Sequence, residues 1–212
     1  MQYQDRLDYI RHLFAPETPQ LKAIHETTTG KNDQISIHPE EGKLLQLLIR
    51  LAGIRTVVEV GTLSGYSALW MADALPDGGQ VYTCEKDAIR AARAAANLKN
   101  HPKVTLMTGD ALETLRSIEP KAPFDMVFID ADKLHYLDYL DWAEKHIRKG
   151  GLIVGDNTLL FAAVWREALP DRIRQTALQA MREFNRRLAD PGKYTAVLLP
   201  TAEGMTIALK NF

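Results

Sequence analysis

The sequence predicts an α/β protein with a mostly parallel sheet, helices on both faces of that sheet and an antiparallel hairpin near the C-terminus. Two observations support this fold class. From Thr56 onward, short runs rich in β-branched residues alternate with helical patterns, and such alternation builds parallel strands joined by right-handed crossovers. After the last helical pattern, two β-like runs follow each other, joined only by residues 201–204. A short connection of this kind is typical of an antiparallel pair.

The alternating region contains five predicted strands, in the runs TVVEV, QVYTC, KVTLM, DMVFI and GLIVG. Helices are predicted from about Gly65, in DAIRAARAAANLKN, shortly after KVTLM, and in HYLDYLDWAEKHIRK. A long amphipathic segment from Asp171 to Leu188 follows, and it places apolar residues near one face, namely Ile173, Ala177, Met181, Phe184 and Leu188. The runs YTAVLLP and GMTIALK are then predicted to form the hairpin.

The segment before Thr56 is predicted to be helical at its two ends. One helix covers about Asp5 to Phe14, and a second covers PEEGKLLQLLIRL, where Pro39 suits the first helical position. A polar loop is predicted between these two helices.

Length and composition indicate one globular domain. The chain has 212 residues, of which 46% are hydrophobic, enough for a large core. Its 26 Lys and Arg residues against 27 Asp and Glu residues create no global field toward nucleic acid or anionic membranes. Cys84 is the one cysteine, so an internal disulfide is excluded and a buried strand position in a reducing cytoplasm is expected. No segment has 18 uninterrupted apolar residues, so no membrane association is expected.

Oxygen ligands follow two of the predicted strands. Asp130 comes directly after FDMVFI, and Asp156 and Asn157 end the run GGLIVG. Because ligands of open α/β sheets bind outside the carboxyl ends of the strands, these three side chains are expected to converge. Two carboxylates and an amide suit a hard cation such as Mg²⁺, with Ca²⁺ or Mn²⁺ as alternatives.

A glycine-containing loop follows the first strand of the alternating region. In EVGTLSGYS, glycine lets a ligand approach the backbone closely, and Glu85 ends the next strand, where an acidic residue can accept hydrogen bonds from ribose hydroxyls. The Gly-x-x-x-Gly spacing and the nearby Glu59 disfavour a dinucleotide and an NAD-linked oxidoreductase. A cationic ligand such as S-adenosylmethionine suits this acidic loop better, because it carries a ribose and no phosphate.

Together, EVGTLSGYSA, the strand-end Glu85, FIDADK and GDNTL resemble the cation-dependent O-methyltransferases of the caffeoyl-CoA and catechol type. The resemblance covers nearly the whole chain, including HPEEGKLL and LPTAEGMTIALK. It implies a Rossmann-like class I methyltransferase fold with seven strands, the last antiparallel, and a homodimer. It also implies one methyltransferase domain of residues 1–212, with an N-terminal helical cap at 1–55 and a Rossmann-like core at 56–212.

The resemblance further implies roles for individual residues. Asp130, Asp156 and Asn157 match the metal ligands, and Lys133 matches the general base, with Asp130 counted as catalytic as well. Expected cofactor contacts are Ile37, Glu59, Gly61, Thr62, Ser67, Glu85, Ala111, Asp130 and Asp132. The stretch after Asn157, Leu159 to Phe161, lacks the Trp-Asn of the plant caffeoyl-CoA enzymes, so a coenzyme A ester is not the expected substrate. The predicted activity is methylation of a hydroxyl of a catechol-like small phenol, with S-adenosylmethionine as donor and a divalent cation chelating two vicinal hydroxyls.

Two other functions fit the same motifs. Some bacterial relatives methylate a hydroxylated uridine in transfer RNA, and a basic cluster here could contact phosphates. That cluster comprises Arg166, Arg172, Arg174, Arg182, Arg186 and Arg187. A non-catalytic module that binds S-adenosylmethionine is the other alternative, although it would have no need for two strand-end carboxylates that repel each other without a cation.

Overall fold

The computed structural model describes residues 3–27, 36–99, 101–166 and 173–212. Its eight described helices have the following bounds: α1 Arg6–Phe14, α2 Pro19–Thr27, α3 Pro39–Leu51, α4 Tyr66–Ala74, α5 Ala88–Leu98, α6 Ala111–Ile118, α7 Tyr136–His146 and α8 Gln175–Leu188. The seven described strands are β1 Thr56–Val60, β2 Gln80–Glu85, β3 Val104–Thr108, β4 Phe124–Ile129, β5 Ile147–Asp156, β6 Tyr194–Leu199 and β7 Met205–Lys210.

The strands form one seven-stranded sheet in the order β3-β2-β1-β4-β5-β7-β6. Pairing is parallel between β2 and β3, β1 and β4, and β4 and β5, whereas β7 runs antiparallel to both β5 and β6. The predicted fold class, a mostly parallel sheet with a C-terminal antiparallel hairpin, is therefore confirmed.

By their internal contacts, the residues divide into two compact units. The first unit comprises residues 1–55 and 62–109, and the second comprises residues 56–61 and 110–212. The predicted boundary between a helical cap and a core at residues 55 and 56 stays a prediction.

In the first unit, α3 and α4 pack through a small residue against a large one. The indole of Trp70 is buried and lies directly over Gly42, where a Cβ would meet the ring at 2.6 Å. Gln46 donates a hydrogen bond to the Trp70 carbonyl at 3.0 Å, which satisfies a buried amide. α3 itself begins as predicted, with Pro39 at its first position, and the Glu41 side chain accepts a hydrogen bond from the His38 N–H.

In the second unit, the core is centred on aromatic side chains between α7, α8 and the strands. Tyr136 and Phe184 are fully buried and meet edge to face at 5.2 Å between ring centroids. Gly155 of β5 lies against the Phe184 ring, where any Cβ would come within 2.7 Å of it. The five apolar residues predicted to share one face of the segment ending at Leu188 are all buried.

Two predictions about local structure were wrong. Residues 19–27, assigned to a polar loop, form α2, because Leu21 and Ile24 are buried one turn apart and Thr18 accepts a hydrogen bond from the Leu21 N–H. The helix predicted through Lys149 ends at His146, because Ile147 already pairs with Phe124 at the start of β5. The predicted start of the last helix at Asp171 lies outside the described residues, and α8 begins at Gln175.

The hairpin strand β6 lies at the edge of the sheet. Four of its six residues, Thr195 to Leu198, are exposed, whereas Tyr194 is buried. β7, which separates β6 from β5, is almost wholly buried. The last pair of the β5–β7 ladder joins Asp156 to Met205.

Candidate active site at the carboxyl ends of β4 and β5

The predicted metal ligands lie next to each other in the second unit. β4 and β5 pair in register up to Ile129 and Gly155, so the residues that follow, Asp130 and Asp156, are neighbours at the same edge, about 5 Å apart by strand spacing. The amide of Asn157 donates a hydrogen bond to Oδ2 of Asp156 at 3.1 Å. The two carboxylates and the amide predicted as ligands are thus brought to one place.

The ligand set suits a hard dication on chemical grounds. Asp156 is 2% exposed, and a buried carboxylate beside a second carboxylate is costly unless a positive charge compensates it. Two Asp and one Asn are a different ligand set from a cluster of three or more His, Cys, Asp or Glu side chains. Among the residues that the structure describes, no cluster of that second kind could hold a metal. The oxygen donors of two Asp and one Asn are of the type that Mg²⁺ binds together with water.

The side-chain nitrogen of Lys133 lies at this edge of the sheet. Its Nζ lies 3.2 Å from Oδ1 of Asp130, 2.7 Å from the hydroxyl of Tyr136 and 3.5 Å from the carbonyl oxygen of Asp156. Only 19% of the Lys133 side chain is exposed. The predicted general base is therefore within hydrogen-bonding reach of one predicted ligand side chain, Asp130, and of the backbone carbonyl of a second, Asp156.

Tyr136 also belongs to this site, although no motif in the sequence marks it. Its spacing with Tyr139 and Trp142 along α7 is that of ordinary core residues, and all three are buried. The hydroxyl of Tyr136, however, also lies 2.7 Å from the Asp156 carbonyl oxygen and 3.0 Å from that of Ile129. Burial, and then the nearby charges of Asp130 and Asp156, raise the pKa of Tyr136 well above its usual value. The hydroxyl therefore keeps its proton and acts as a donor between the ends of β4 and β5.

Asp132, a predicted cofactor contact, is oriented by the first turns of α7. Tyr139 donates a hydrogen bond to its Oδ2 at 3.0 Å, and Nδ1 of His135 contacts its Oδ1. Burial raises the pKa of Tyr139, and the charge of Asp132 adds to that shift. The carboxylate of Asp132 is thus fixed at the rim of the same strand end as Asp130.

Gly61 is required by close packing within the second unit. Its φ of +105° lies in a region that side chains disfavour, and a Cβ at this position would collide with the carbonyl oxygen of Asp130. Asp130 in turn donates its N–H to the carbonyl of Val60 at 2.9 Å. The glycine lets the chain leave β1 while staying in contact with the residue that ends β4. Glu59, two residues earlier, is completely buried.

In the first unit, Glu85 ends β2 with its carboxylate held by backbone amides. Oε2 accepts a hydrogen bond from the Leu63 N–H and Oε1 accepts one from the Asp87 N–H, each at 2.9 Å. Because a carboxylate oxygen can accept about two hydrogen bonds, both oxygens keep capacity for ribose hydroxyls. Nearby, the N–H of Thr62 is bound by the carbonyl of Cys84 at 3.1 Å, and Cys84 is buried in the strand as predicted.

The other predicted cofactor contacts lie at element boundaries. Ser67 is in the first turn of α4, and Ile37 is buried just before α3. Ala111 begins α6 in the second unit, where the side chain of Asp110 caps the helix by accepting N–H groups of Leu112 and Glu113 at 2.9 and 3.2 Å. The roles of these three residues as cofactor contacts stay predictions.

Three arginines of the proposed phosphate-binding cluster, Arg182, Arg186 and Arg187, have partners within the chain. Arg182 donates hydrogen bonds to the Val164 and Arg166 carbonyls, and Arg186 pairs with Glu183 at 2.6 Å. Arg187 bridges Asp141 and Glu144, each at 2.6 Å, and Arg172 lies outside the described residues. Arginines used in this way form an ordinary charged surface, so the geometry gives the transfer RNA hypothesis no support.

The fold and the site define a class of protein before any relative is considered. A seven-stranded sheet of this order, with an antiparallel last strand and acidic residues at the ends of β2, β4 and β5, is a class I methyltransferase fold. No helix among the described residues is long and apolar enough to cross a membrane.

Comparison with known proteins identifies the family. The family model for O-methyltransferases matches residues 12–211, and the chain belongs to that family. A catechol O-methyltransferase from Niastella koreensis is 38% identical over 89% of this chain and 88% of its own length. A caffeoyl-CoA O-methyltransferase from Populus kitakamiensis is 29% identical over 94% and 89%.

A solved structure of an O-methyltransferase has the same fold. The O-methyltransferase TomG from Streptomyces achromogenes, determined in complex with S-adenosylmethionine, superposes with a TM-score of 0.87 at 33% identity, covering 96% of this chain and 95% of TomG. The prediction of an O-methyltransferase is therefore confirmed at the level of the family.

Proposed function

We propose that this chain transfers a methyl group from S-adenosylmethionine to one hydroxyl of a catechol-like small phenol, with a divalent cation as cofactor. The observation that carries the proposal is the convergence of Asp130, Asp156, Asn157 and Lys133 at the carboxyl ends of β4 and β5. The catechol methyltransferase named above and the S-adenosylmethionine complex of TomG support the substrate class and the methyl donor.

The side chains divide the work between binding and proton transfer. Asp130, Asp156 and Asn157 would hold the cation, which supplies charge stabilisation for an ionised substrate hydroxyl. Lys133, kept near Asp130 by its contacts to Tyr136 and the Asp156 carbonyl, would accept the hydroxyl proton at Nζ. Methyl transfer is a direct displacement, so the remaining task of the protein is to align the oxygen with the methyl group.

For the methyl donor, the proposed contacts are those predicted from the sequence. Glu85 would accept hydrogen bonds from the ribose hydroxyls through the free capacity of its two oxygens. Gly61 would allow close approach of the ligand to the backbone, and the acidic side chains of Glu59 and Asp132 would favour a cation. The remaining proposed contacts are Ile37, Thr62, Ser67, Ala111 and Asp130.

A methyl-transfer assay with labelled S-adenosylmethionine tests this function. Catechols, caffeoyl thioesters and hydroxylated transfer RNA should be offered with Mg²⁺, and again with a chelator. We expect turnover of catechols that chelation abolishes and added Mg²⁺ restores. Full turnover in chelator would refute the role of the cation, and methylation of the RNA alone would refute the substrate class.

The variant Asp130→Asn tests the ligand assignment. It keeps the size of the side chain and removes the charge, so it should reduce activity by more than the roughly 10–100-fold that loss of an outer-shell partner causes. The matched control is Asp138→Asn, which changes an exposed carboxylate in the first turn of α7. Equal activities of the two variants would contradict the assignment of Asp130.

We also propose that the enzyme is a homodimer, as the family resemblance implies. α1 has no buried residue and leaves Leu7, Leu13 and Phe14 at least 40% exposed, and such a patch favours association. Light scattering coupled to gel filtration should give twice the mass of the 23.8 kDa chain.

A further inference from the structure

The segment that follows the proposed metal ligands has an unusual backbone. Asn157 has a φ of 55°, and Leu160, Phe161 and Ala162 have φ values of 47°, 52° and 65°. Three consecutive left-handed residues other than glycine are disfavoured, because each Cβ crowds its own carbonyl oxygen. A turn of this kind persists only where its surroundings determine it. We call residues 160–162 the left-handed turn.

The left-handed turn is attached directly to the ligand segment. The N–H of Leu160 donates a hydrogen bond to the Asn157 carbonyl at 3.0 Å, and that of Ala163 donates to the Leu160 carbonyl at 3.0 Å. Leu160 is buried, whereas Phe161 is 42% exposed. The turn therefore anchors one apolar side chain in the protein and leaves an aromatic side chain partly exposed four residues after Asn157.

The connection between β6 and β7 braces this turn from outside. Oε2 of Glu203 accepts a hydrogen bond from the Phe161 N–H at 2.8 Å, and the Glu203 carbonyl accepts one from the Leu159 N–H at 2.9 Å. The carbonyl of Gly204 accepts the N–H of Thr158 at 2.9 Å. Of these three acceptors, only the Glu203 carboxylate depends on the identity of a side chain.

We infer that Glu203 is a positioning residue for substrate selection: its carboxylate fixes the left-handed turn and so holds the ring of Phe161 as a wall for the aromatic ring of the substrate. This inference rests on the proposed function, because it assigns the phenol an apolar contact beside the cation. The flat apolar ring of Phe161 suits stacking or edge contact with an aromatic substrate. The charge-assisted hydrogen bond from the Phe161 N–H to the Glu203 carboxylate is strong enough to keep the backbone of Phe161 in place.

Two substitutions at position 203 separate this role from a general effect on folding. Glu203→Ala removes the acceptor, whereas Glu203→Gln keeps an oxygen that can accept the Phe161 N–H. We expect Glu203→Ala to raise KM for a catechol about tenfold, the effect of losing one hydrogen bond of this kind, with kcat changed less. Glu203→Gln should remain within about threefold of the unchanged protein. The matched control is Glu183→Ala, which removes a partly exposed carboxylate on α8 whose partner is Arg186.

A double-variant cycle tests whether Glu203 acts through the ring. If it does, adding Glu203→Ala to Phe161→Ala should change KM no further than Phe161→Ala alone. Additive effects of the two substitutions, or a normal KM in Glu203→Ala, would overturn the inference.

Amide hydrogen exchange gives a readout that needs no turnover. The Phe161 amide should exchange about tenfold faster in Glu203→Ala and at the normal rate in Glu203→Gln and Glu183→Ala. If the unchanged protein methylates no catechol with Mg²⁺, the proposed function fails, and the exchange rates still decide whether Glu203 holds the turn. Unchanged exchange at Phe161 in Glu203→Ala would refute the bracing role even in an active enzyme.

Discussion

Replacing Tyr136 with phenylalanine removes one hydroxyl and leaves the ring and its edge contact with Phe184 in place. The hydroxyl lies within hydrogen-bonding distance of three groups: the Asp156 and Ile129 carbonyls and the ammonium of Lys133. With a single proton it donates to one carbonyl at a time, so the substitution costs one donated and one accepted hydrogen bond.

The size of the effect follows from burial. A donated hydrogen bond contributes about 1 kcal/mol net, and a buried carbonyl left without its donor costs roughly 1–3 kcal/mol. The contact with Lys133 adds less, because water can reach that side chain. We therefore expect Tyr136→Phe to lower the free energy of unfolding by about 1–3 kcal/mol.

Urea unfolding followed by tryptophan fluorescence measures this change, since Trp142 lies on the same helix, α7. The control is Tyr9→Phe, which removes a hydroxyl from a residue that is 45% exposed and should change stability by less than about 0.5 kcal/mol. A Tyr136→Phe variant as stable as the control would refute the view that this hydroxyl ties the ends of β4 and β5 together.

Two further predictions concern a glycine and an ion pair. Gly61→Ala should destabilise the protein by roughly 1–3 kcal/mol and abolish methyl transfer, because the new Cβ would collide with the Asp130 carbonyl; Gly53→Ala is its control, since Gly53 also has a positive φ of 62° but no atom within 4 Å of a Cβ. Equal losses in the two variants would show that backbone strain, rather than the collision, sets the cost. Burial alone would raise the pKa of Glu40, but hydrogen bonds from Arg11 and from its own backbone, with the charge of Arg11, lower that pKa below its ordinary value of 4.5. The stability contributed by the Arg11–Glu40 pair should be present above about pH 4.5 and lost as the pH falls through the lowered pKa of Glu40. This contribution should not exceed about 1 kcal/mol, since both side chains are partly exposed. Urea midpoints of the unchanged protein and of Glu40→Gln, measured at pH 7 and pH 3.5, test this pH dependence. A difference between the two midpoints that does not shrink at pH 3.5 would contradict it.

Local sequence patterns predicted most of the sheet because each strand is a short apolar run between clear turn signals. α2 was not predicted, although Thr18 and Pro19 are a good helix start, because polar residues outnumber the two buried ones in that segment. Ile147 was wrongly predicted to be helical. Only the pairing of Ile147 with Phe124, 23 positions away in the sequence, makes that residue the first of a strand.

The candidate site shows the same division. Asp130, Asp156 and Asn157 follow strands, so their meeting could be predicted from the rule that parallel strands end at one edge. The contact of Glu203 with the Phe161 amide joins residues 42 positions apart through a left-handed turn that no propensity favours. The role of the Tyr136 hydroxyl was hidden for another reason, because its i, i+3 spacing with Tyr139 is that of ordinary core residues.

The pairing of Asp156 with Met205 means that a proposed metal ligand is also the final rung of the β5–β7 ladder. Side chains alternate between the two faces of a strand. A shift of β7 by one residue relative to β5 would therefore move each β7 side chain to the opposite face of the sheet. Insertions or deletions in the hairpin of β6 and β7 should therefore weaken metal binding before they unfold the sheet. A shortened or transplanted hairpin should keep the register of β7 with β5.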